Sequence, residues 1–197
     1  MQIVSIVPDA FCEWETEVSL ALCCLSCNLK CNFCHMKDKI YDPRNVIGTA
    51  KDLFFQHINP LHTALIVSGG EPTLWNGALF ELLWIAKNAG LRTKVFSNAM
   101  KYEAIFTLNK YKLVDMYSFD VKAAKDISSV VGVDIPDEEY LSNLFTTIRN
   151  CKENYVEFEL RHTMAPGIDT EAVKELLSGA ELQGIKVHYQ KYIEYKE

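Results

Sequence analysis

Short apolar runs alternate with amphipathic segments along this sequence, and that alternation limits its fold more than any other feature. Apolar runs of strand length lie at residues 17–25, 64–68, 92–97, 114–121, 156–163 and 186–193. Segments with helical periodicity lie between them, at residues 49–58, 78–88, 102–111, 137–152 and 170–183. Strands that alternate with helices form parallel sheets, because each helix carries the chain back across the sheet. We therefore predict an α/β fold in which six strands and five helices form a partial (β/α)6 barrel.

Length and charge narrow the possible functions. A chain of 197 residues with 49% apolar content can bury one large core, so we expect a single domain over residues 1–197. The formal net charge is −6, and charges of both signs are mixed along the chain, which argues against a nucleic-acid-binding surface. No apolar stretch approaches the roughly 20 residues that a membrane-spanning helix needs. We therefore expect a soluble protein with neither nucleic acid nor membrane as a partner.

The cysteine content indicates a reducing compartment. Of seven cysteines, four are crowded between Cys24 and Cys34, and an odd, clustered set does not suit a disulfide framework. The amino terminus carries Asp9, Glu13 and Glu15 and does not have the pattern of a signal peptide. We expect a cytoplasmic protein.

Three cysteines form the clearest candidate site. Cys27, Cys31 and Cys34 stand in a Cys-x3-Cys-x2-Cys spacing, with no fourth cysteine following at the interval of a ferredoxin. Thiolates are the usual ligands of iron-sulfur clusters, so three of them imply a fourth iron that is open to an exogenous ligand. The alternative is a zinc site of the Cys3His type that includes His35. Zinc modules, however, usually separate their two ligand pairs by roughly a dozen residues or more.

Two further cysteines leave a second alternative open. Cys24 precedes Cys27 by three positions, so the cluster can also be interpreted as a four-thiolate site. Cys23 and Cys24 lie in the apolar run 17–25, where alternate side chains of a strand face opposite sides. We therefore favour strand packing over metal binding for both, and structural roles for Cys12 and Cys151.

The cysteine spacing resembles the signature of the radical S-adenosylmethionine (SAM) superfamily when it is taken together with the Gly-Gly-Glu-Pro segment after the run 64–68. In a parallel sheet, ligands sit at the carboxyl ends of the strands, where this segment lies. The resemblance implies that the amino and carboxylate groups of SAM chelate the open iron of a 4Fe-4S cluster. It also implies that backbone near Phe33 meets the adenine and that the Gly-Gly-Glu-Pro segment receives the methionyl ammonium. The residues of that segment are Gly69, Gly70, Glu71 and Pro72.

Two later segments resemble the activating enzymes of this superfamily. Ser97 and Asn98 stand at the end of the third predicted strand, where those enzymes carry a Thr-Asn-Gly-like segment whose hydroxyl and amide contact SAM, although a Ser-Asn pair is also common turn chemistry. Asp120 and Lys122 are similar to the Asp-x-Lys of the activating enzymes. Strand alternation places both on one face, where the pair can orient SAM and an incoming substrate peptide, or can simply be an ion pair at a strand end.

The fifth predicted strand carries Arg161 and His162, followed by Pro166 and Gly167 in an Arg-x4-Pro-Gly pattern that is similar to the same enzymes. A guanidinium can hold the SAM carboxylate or ribose with two donors, and a histidine can stack near the adenine. Neighbouring residues of a strand point to opposite faces, so we expect at most one of the two to line the barrel and favour Arg161.

Taken together, these motifs resemble the activating proteins of glycyl radical enzymes, of the anaerobic ribonucleotide reductase and pyruvate formate-lyase types. The run from Cys34 to Asp38 is like their Cys-His-Asn-x-Asp, with Met36 in place of the asparagine. The resemblance implies a fold of the radical SAM type and a 5'-deoxyadenosyl radical, made from SAM by the reduced cluster, that abstracts a hydrogen atom from a backbone glycine. It implies a glycyl radical enzyme, most nearly anaerobic ribonucleotide reductase, as the protein substrate, and a flavodoxin- or ferredoxin-type electron donor.

Two other functions remain open. One is a radical SAM enzyme that acts on a small molecule, such as a 7-carboxy-7-deazaguanine synthase, which is also short and has a similar core. The other is a non-enzymatic iron-sulfur or zinc module, which predicts neither SAM binding nor 5'-deoxyadenosine.

Overall fold

A computed structural model describes residues 1–194, so the last three residues of the predicted domain lie outside the described part of the chain. Its sheet contains the strands β1 (Gln2–Ala10), β2 (Ser19–Cys24), β3 (Gly48–Thr49), β4 (Ala64–Gly69), β5 (Arg92–Ser97), β6 (Met116–Asp120), β7 (Glu157–Met164) and β8 (Val187–Lys191). The spatial order is β3-β1-β2-β4-β5-β6-β7-β8, and β2 and β4 to β8 are parallel to one another. These six parallel strands are the six that the apolar runs predict, which confirms the α/β class.

The helices are α1 (Lys37–Ile40), α2 (Ala50–His57), α3 (Asn76–Asn88), α4 (Tyr102–Lys110), α5 (Ile127–Val131), α6 (Asp137–Glu153) and α7 (Thr170–Leu177). All five predicted helices are present, and α1 and α5 are short additions. The predicted helix 170–183 is interrupted, because α7 ends at Leu177 and a separate 3-10 turn, Ala180–Leu182, follows Gly179. The Asp169 carboxylate begins α7 by accepting a hydrogen bond from the backbone N–H of Ala172 (3.0 Å).

Two strands lie outside the sequence prediction. β1 pairs antiparallel with β2, from Ile3 opposite Cys24 to Ala10 opposite Ser19, and β3 pairs antiparallel with β1. Only three of the nine β1 residues are buried, and the pairing of β1 with β2 contains two register shifts. Its sequence accordingly shows no regular alternation. The two strands extend the edge of the sheet beside the cysteine loop.

The two faces of the sheet are buried differently. The outer face packs against the helices in one large apolar core that includes Leu65, Val95 and Phe119. The inner face carries a smaller cluster, in which Trp14, from the connection between β1 and β2, packs with Ile66 and Phe96. Because these side chains fill only part of the inner face, space remains at the carboxyl ends of the parallel strands. Within residues 1–194, no helix is both long and apolar enough to cross a bilayer.

Candidate functional site

A cavity of about 400 Å³ opens at the carboxyl ends of the parallel strands. Its walls are side chains from the inner face of the sheet together with the loop that carries the three cysteines. The predicted site residues that line it are Cys27, Cys31, Phe33, Cys34, Gly69, Gly70, Glu71, Ser97, Asn98, Asp120, Lys122 and Arg161. Elements far apart in the sequence therefore converge on one cavity, as the strand-end argument predicts.

Backbone hydrogen bonds hold the cysteine loop, both within the loop and to α5. The backbone N–H of Lys30 donates to the carbonyl of Val131 (2.7 Å), and the N–H of Cys34 donates to the carbonyl of Cys31 (3.1 Å). The thiols of Cys27, Cys31 and Cys34 are free and partly buried. The loop thus presents three sulfur donors to the cavity from a backbone that is already ordered.

Burial raises the pKa of two of these thiols, Cys27 and Cys31. Burial raises the pKa of Cys27 to about 12, and the carboxylate of Glu71 acts in the same direction. Burial also raises the pKa of Cys31, against the opposing effect of the Lys122 ammonium. Since a metal binds the thiolate, loading the site releases protons.

The donor set fits an iron-sulfur cluster. Across residues 1–194, no group of three or more His, Cys, Asp or Glu side chains is arranged to hold one metal ion. A four-iron cube distributes its thiolates over separate irons, so its ligands need not converge on one point. Three half-buried thiols on the wall of a cavity therefore suit a cluster that has an additional side open to a ligand.

Cys23 and Cys24 point to opposite faces of the sheet. Cys24 is fully buried in the outer core, in agreement with strand packing, and burial raises its pKa. Cys23 faces the other way, is half-buried and lines the cavity, and burial raises its pKa as well. Strand packing therefore describes Cys24, whereas Cys23 is part of the cavity wall.

The two glycines after β4 allow very close backbone packing. A Cβ atom on Gly70 would lie 1.8 Å from the carbonyl oxygen of Ser26, and one on Gly69 would lie 2.3 Å from the backbone nitrogen of Cys24. Gly69 also has a φ of +109°, which favours glycine. Two hydrogen bonds hold these segments together. The N–H of Gly70 donates to the carbonyl of Cys24 (2.9 Å), and the N–H of Glu71 donates to the carbonyl of Ser26 (2.8 Å). The Gly-Gly pair fits the end of β4 against the start of the cysteine loop.

Glu71 ties two loops together. It is buried, and its Oε1 accepts from the backbone N–H (3.1 Å) and hydroxyl (2.6 Å) of Thr73 and from the hydroxyl of Ser97 (2.9 Å). Its Oε2 accepts from the backbone N–H of Asn98 (2.7 Å). Burial raises the pKa of Glu71, and these hydrogen bonds oppose that rise. Pro72 is buried as the first residue of the 3-10 turn Pro72–Trp75.

Asp120 and Lys122 form an ion pair on the cavity wall. Lys122 Nζ lies 2.9 Å from Asp120 Oδ2 and 5.7 Å from the centre of the Phe33 ring. Burial lowers the pKa of Lys122, but the Asp120 carboxylate and the Cys31 sulfur raise it more, so its net pKa lies above the ordinary value. The pair therefore places a permanent ammonium close to Cys31.

Arg161 faces the cavity and His162 does not. The Arg161 guanidinium lies over the Phe96 ring at 4.7 Å, and its NH1 is 3.7 Å from Glu13 Oε2. Its Nε is buried and has no hydrogen-bond partner within residues 1–194. His162 lies on the helix side of the sheet, 2.8 Å from the carbonyl of Val121, because neighbouring strand residues alternate. The predicted stacking of His162 near the adenine is therefore not compatible with its position.

Other cavity residues were missed by the sequence prediction. Strand alternation from Arg161 would have indicated Thr163. Gln190 pairs with Thr163, and this register between two predicted strands could not be obtained from the sequence. Glu13 reaches the cavity from the irregular connection between β1 and β2, for which the sequence contains no periodic signal.

Comparisons with known proteins agree with this geometry. The Radical SAM superfamily matches residues 24–178. A Methanocaldococcus jannaschii protein named "Putative glycyl-radical enzyme activating enzyme MJ1227" is 30% identical over 177 residues, covering 88% of this chain and 73% of that protein.

Solved structures share the fold. TYW1 with a lysine-pyruvate adduct bound has a TM-score of 0.63 at 16% identity, and anSMEcpe with bound AdoMet and Kp18Cys peptide has 0.66 at 18%. Streptococcus suis SuiB bound to S-adenosylmethionine also has 0.66 at 18%. The matches cover 89%, 91% and 88% of this chain, but only 65%, 53% and 40% of those three proteins, respectively.

Proposed function

This chain belongs to the radical SAM superfamily, and from that membership we propose that it is an activating enzyme that installs a glycyl radical on a partner protein. Superfamily members use a 4Fe-4S cluster and S-adenosylmethionine. The proposal rests on one observation: the three thiols, the buried Glu71 carboxylate and the Asp120–Lys122 ion pair all line one cavity. The 30% identity to the M. jannaschii activating-enzyme relative supports the activase assignment.

We assign the cluster to Cys27, Cys31 and Cys34. When bound, this group supplies one electron to the sulfonium of SAM, which splits into methionine and a 5'-deoxyadenosyl radical. Thiols must lose their protons to become cluster ligands, so loading the site releases protons. Cys27 and Cys31, whose pKa values are raised, resist that loss until metal is present.

The remaining cavity residues orient SAM in this proposal. Arg161 has an unpartnered Nε with which it can donate to the SAM carboxylate or ribose, and stacking on Phe96 fixes its plane. Glu71 Oε2 accepts one bond where Oε1 accepts three, so it retains capacity for the SAM ammonium close to Gly69 and Gly70. Phe33 offers an apolar surface to the adenine.

Asp120 and Lys122 complete the reacting region. The Lys122 ammonium donates and the Asp120 carboxylate accepts, so the pair can hold both a SAM oxygen and a backbone amide of the target. The target we propose is a backbone glycine of a glycyl radical enzyme, most nearly an anaerobic ribonucleotide reductase. The resemblance from Cys34 to Asp38 supports that class. A flavodoxin- or ferredoxin-type donor and a reducing cytoplasm, where seven free thiols persist, belong to the same proposal.

The test is an anaerobic assay in two stages. The chain is reconstituted with iron and sulfide, mixed with SAM and dithionite, and assayed for 5'-deoxyadenosine. A glycyl radical enzyme is then added, and electron paramagnetic resonance (EPR) detects the glycyl radical. The proposal predicts both products from the native chain and neither from Cys31→Ser.

Two outcomes would contradict the proposal. Formation of 5'-deoxyadenosine without a glycyl radical on any tested enzyme, together with turnover of a 7-deazaguanine precursor, would assign the chain to small-molecule chemistry. Zinc without labile sulfide in the purified protein would assign it to a non-enzymatic module.

A further inference from the structure

The side chain of Asn98 is held in one orientation by two opposed partners. Its Oδ1 accepts from the backbone N–H of Met100 (3.0 Å), and its Nδ2 donates to Oδ1 of Asn28 (2.8 Å). An N–H donor on one side and a carbonyl acceptor on the other determine which atom of the amide is nitrogen. The backbone of Asn98 is fixed as well, through the bond from its N–H to Glu71.

This orientation directs an N–H group toward a cluster cysteine. Asn98 Nδ2 lies 3.8 Å from Cys27 Sγ, and the backbone N–H of Leu29 donates to the same sulfur at 3.4 Å. Asn28 is the neighbour of Cys27 in the chain but does not itself line the cavity. Its Oδ1 also accepts from the Cys27 thiol at 3.8 Å, but that contact needs the thiol proton, which cluster binding removes. Toward the thiolate, Asn28 therefore acts through Asn98.

We propose that Asn28 is a positioning residue that holds the Asn98 amide as a hydrogen-bond donor to the Cys27 thiolate and thereby raises the reduction potential of the cluster. This inference rests on the proposed function, because it requires the cluster on Cys27, Cys31 and Cys34. A reduced cluster carries more negative charge on its thiolates than an oxidised one, so a donor stabilises the reduced form more. Asn98, placed among the SAM-contacting residues by sequence, serves here as a link between the cysteine loop and β5.

The test is a double-mutant cycle on the reduction potential of the reconstituted cluster, measured without SAM so that nucleotide contacts do not enter. The variants are Asn28→Leu, Asn98→Leu and the double variant, and each titration follows the EPR signal of the reduced cluster. The matched control is Asn32→Leu, because Asn32 is an exposed asparagine in the same loop. Iron and sulfide content and thermal unfolding are recorded for every protein.

The expected result is a lower potential for both single variants, equivalent to a reduction equilibrium about tenfold less favourable, as for the loss of one hydrogen bond to a charged group. The double variant should be no lower than Asn98→Leu, since the two residues act in series. Asn32→Leu should have the same reduction potential as the native protein.

Three results would overturn the inference. The first is an unchanged potential in loaded Asn28→Leu. The second is an additive shift in the double variant. The third is failure of both single variants to load iron at unchanged thermal stability, which would make the pair a loop support only. If the native chain itself forms no redox-active cluster, the proposed function fails instead, so the two failures are distinguishable.

Discussion

Arg161 lines the cavity and has a buried hydrogen-bond donor that a ligand could satisfy. Its guanidinium stacks on Phe96, its nearest carboxylate oxygen, on Glu13, is 3.7 Å away, and its buried Nε is unpartnered within residues 1–194. A buried donor without an acceptor costs free energy of the order of 1–3 kcal/mol, which a ligand oxygen would recover.

Arg161→Lys should therefore weaken SAM binding. Lysine keeps the charge but loses Nε and the planar fork, so we expect the dissociation constant of SAM to rise about tenfold. Equilibrium dialysis against the reconstituted protein measures it. Arg149→Lys, at an exposed position on α6, is the control and should bind like the native chain. Equal affinity of Arg161→Lys and the native chain would remove Arg161 from the SAM site.

Asp120 matters for stability because it balances the Lys122 ammonium. Asp120→Asn should lower the free energy of unfolding by about 2 kcal/mol, since a largely buried cation would lose its charged partner. Urea unfolding of the metal-free chain measures this change. The control is Glu81→Gln, which breaks the exposed Lys51–Glu81 pair and should cost less than about 0.5 kcal/mol. Similar losses in the two variants would show that the Asp120–Lys122 pair behaves as a surface pair.

The thiol of Cys151, in the outer core, makes the free energy of unfolding depend on pH. Burial raises its pKa from 9.0 to about 12, and its sulfur accepts from Asn109 Nδ2 at 3.6 Å. A group whose pKa is raised on folding stabilises the fold fully below its unfolded pKa and loses that contribution as pH rises toward the folded value. The relevant window is therefore pH 9 to 12.

Cys151→Ser should reduce the loss of stability at alkaline pH. Between roughly pH 8 and 10, the native chain should lose about 1.4 kcal/mol through this thiol, and the variant should not, because serine does not titrate there. Urea unfolding under reducing, metal-free conditions at both pH values provides the comparison. Parallel pH profiles for the two proteins would be inconsistent with a protonated, buried Cys151.

At the scale of elements, the connection from β4 to α3 is the most tightly constrained. Gly70 has the carbonyl of Ser26 where its Cβ would lie, whereas a Cβ on Gly77, at the start of α3, would meet nothing within 4 Å. Gly70 has no room for a Cβ atom and Gly77 has, although the two are close in sequence. Alanine substitutions at these two positions can therefore be compared directly.

Gly70→Ala should move the loop and Gly77→Ala should not. We expect Gly70→Ala to lower stability by about 3 kcal/mol, because the nearest atoms are backbone and must shift, and to abolish detectable SAM binding. Gly77→Ala should raise stability by about 0.5 kcal/mol, because alanine favours a helix over glycine. Thermal unfolding and SAM dialysis measure both effects. A Gly70→Ala protein with native stability and SAM affinity would contradict the close contact.

The antiparallel edge explains where sequence prediction succeeds and fails. The parallel strands, flanked by buried faces, have apolar runs that predict them directly, as Leu65 and Val67 show in β4. β1 is interrupted by two register shifts, and only three of its nine residues are buried, so no period identifies it. Glu13 reaches the cavity only because β1 returns the chain to that point.

At the scale of the whole molecule, most of the cavity is predictable from chain order. Parallel strands end on one side, so residues at or just after the strand ends meet there, as Glu71, Ser97 and Asp120 do. Alternation correctly separates Arg161 from His162. The hydrogen bonds between loops, such as those to Glu71, depend on atomic distances that no spacing encodes. The contacts that connect Asn28 to Cys27 through Asn98 are of the same kind.

The most direct test of the account is Mössbauer spectroscopy of the ⁵⁷Fe-reconstituted chain, recorded with and without SAM. Three protein thiolates leave one iron of the cube without a side-chain ligand, so the account predicts that one of the four iron sites changes its spectrum when SAM is added and that the other three do not. Four equivalent irons that SAM leaves unchanged, or a spectrum without a 4Fe-4S cluster, would contradict it.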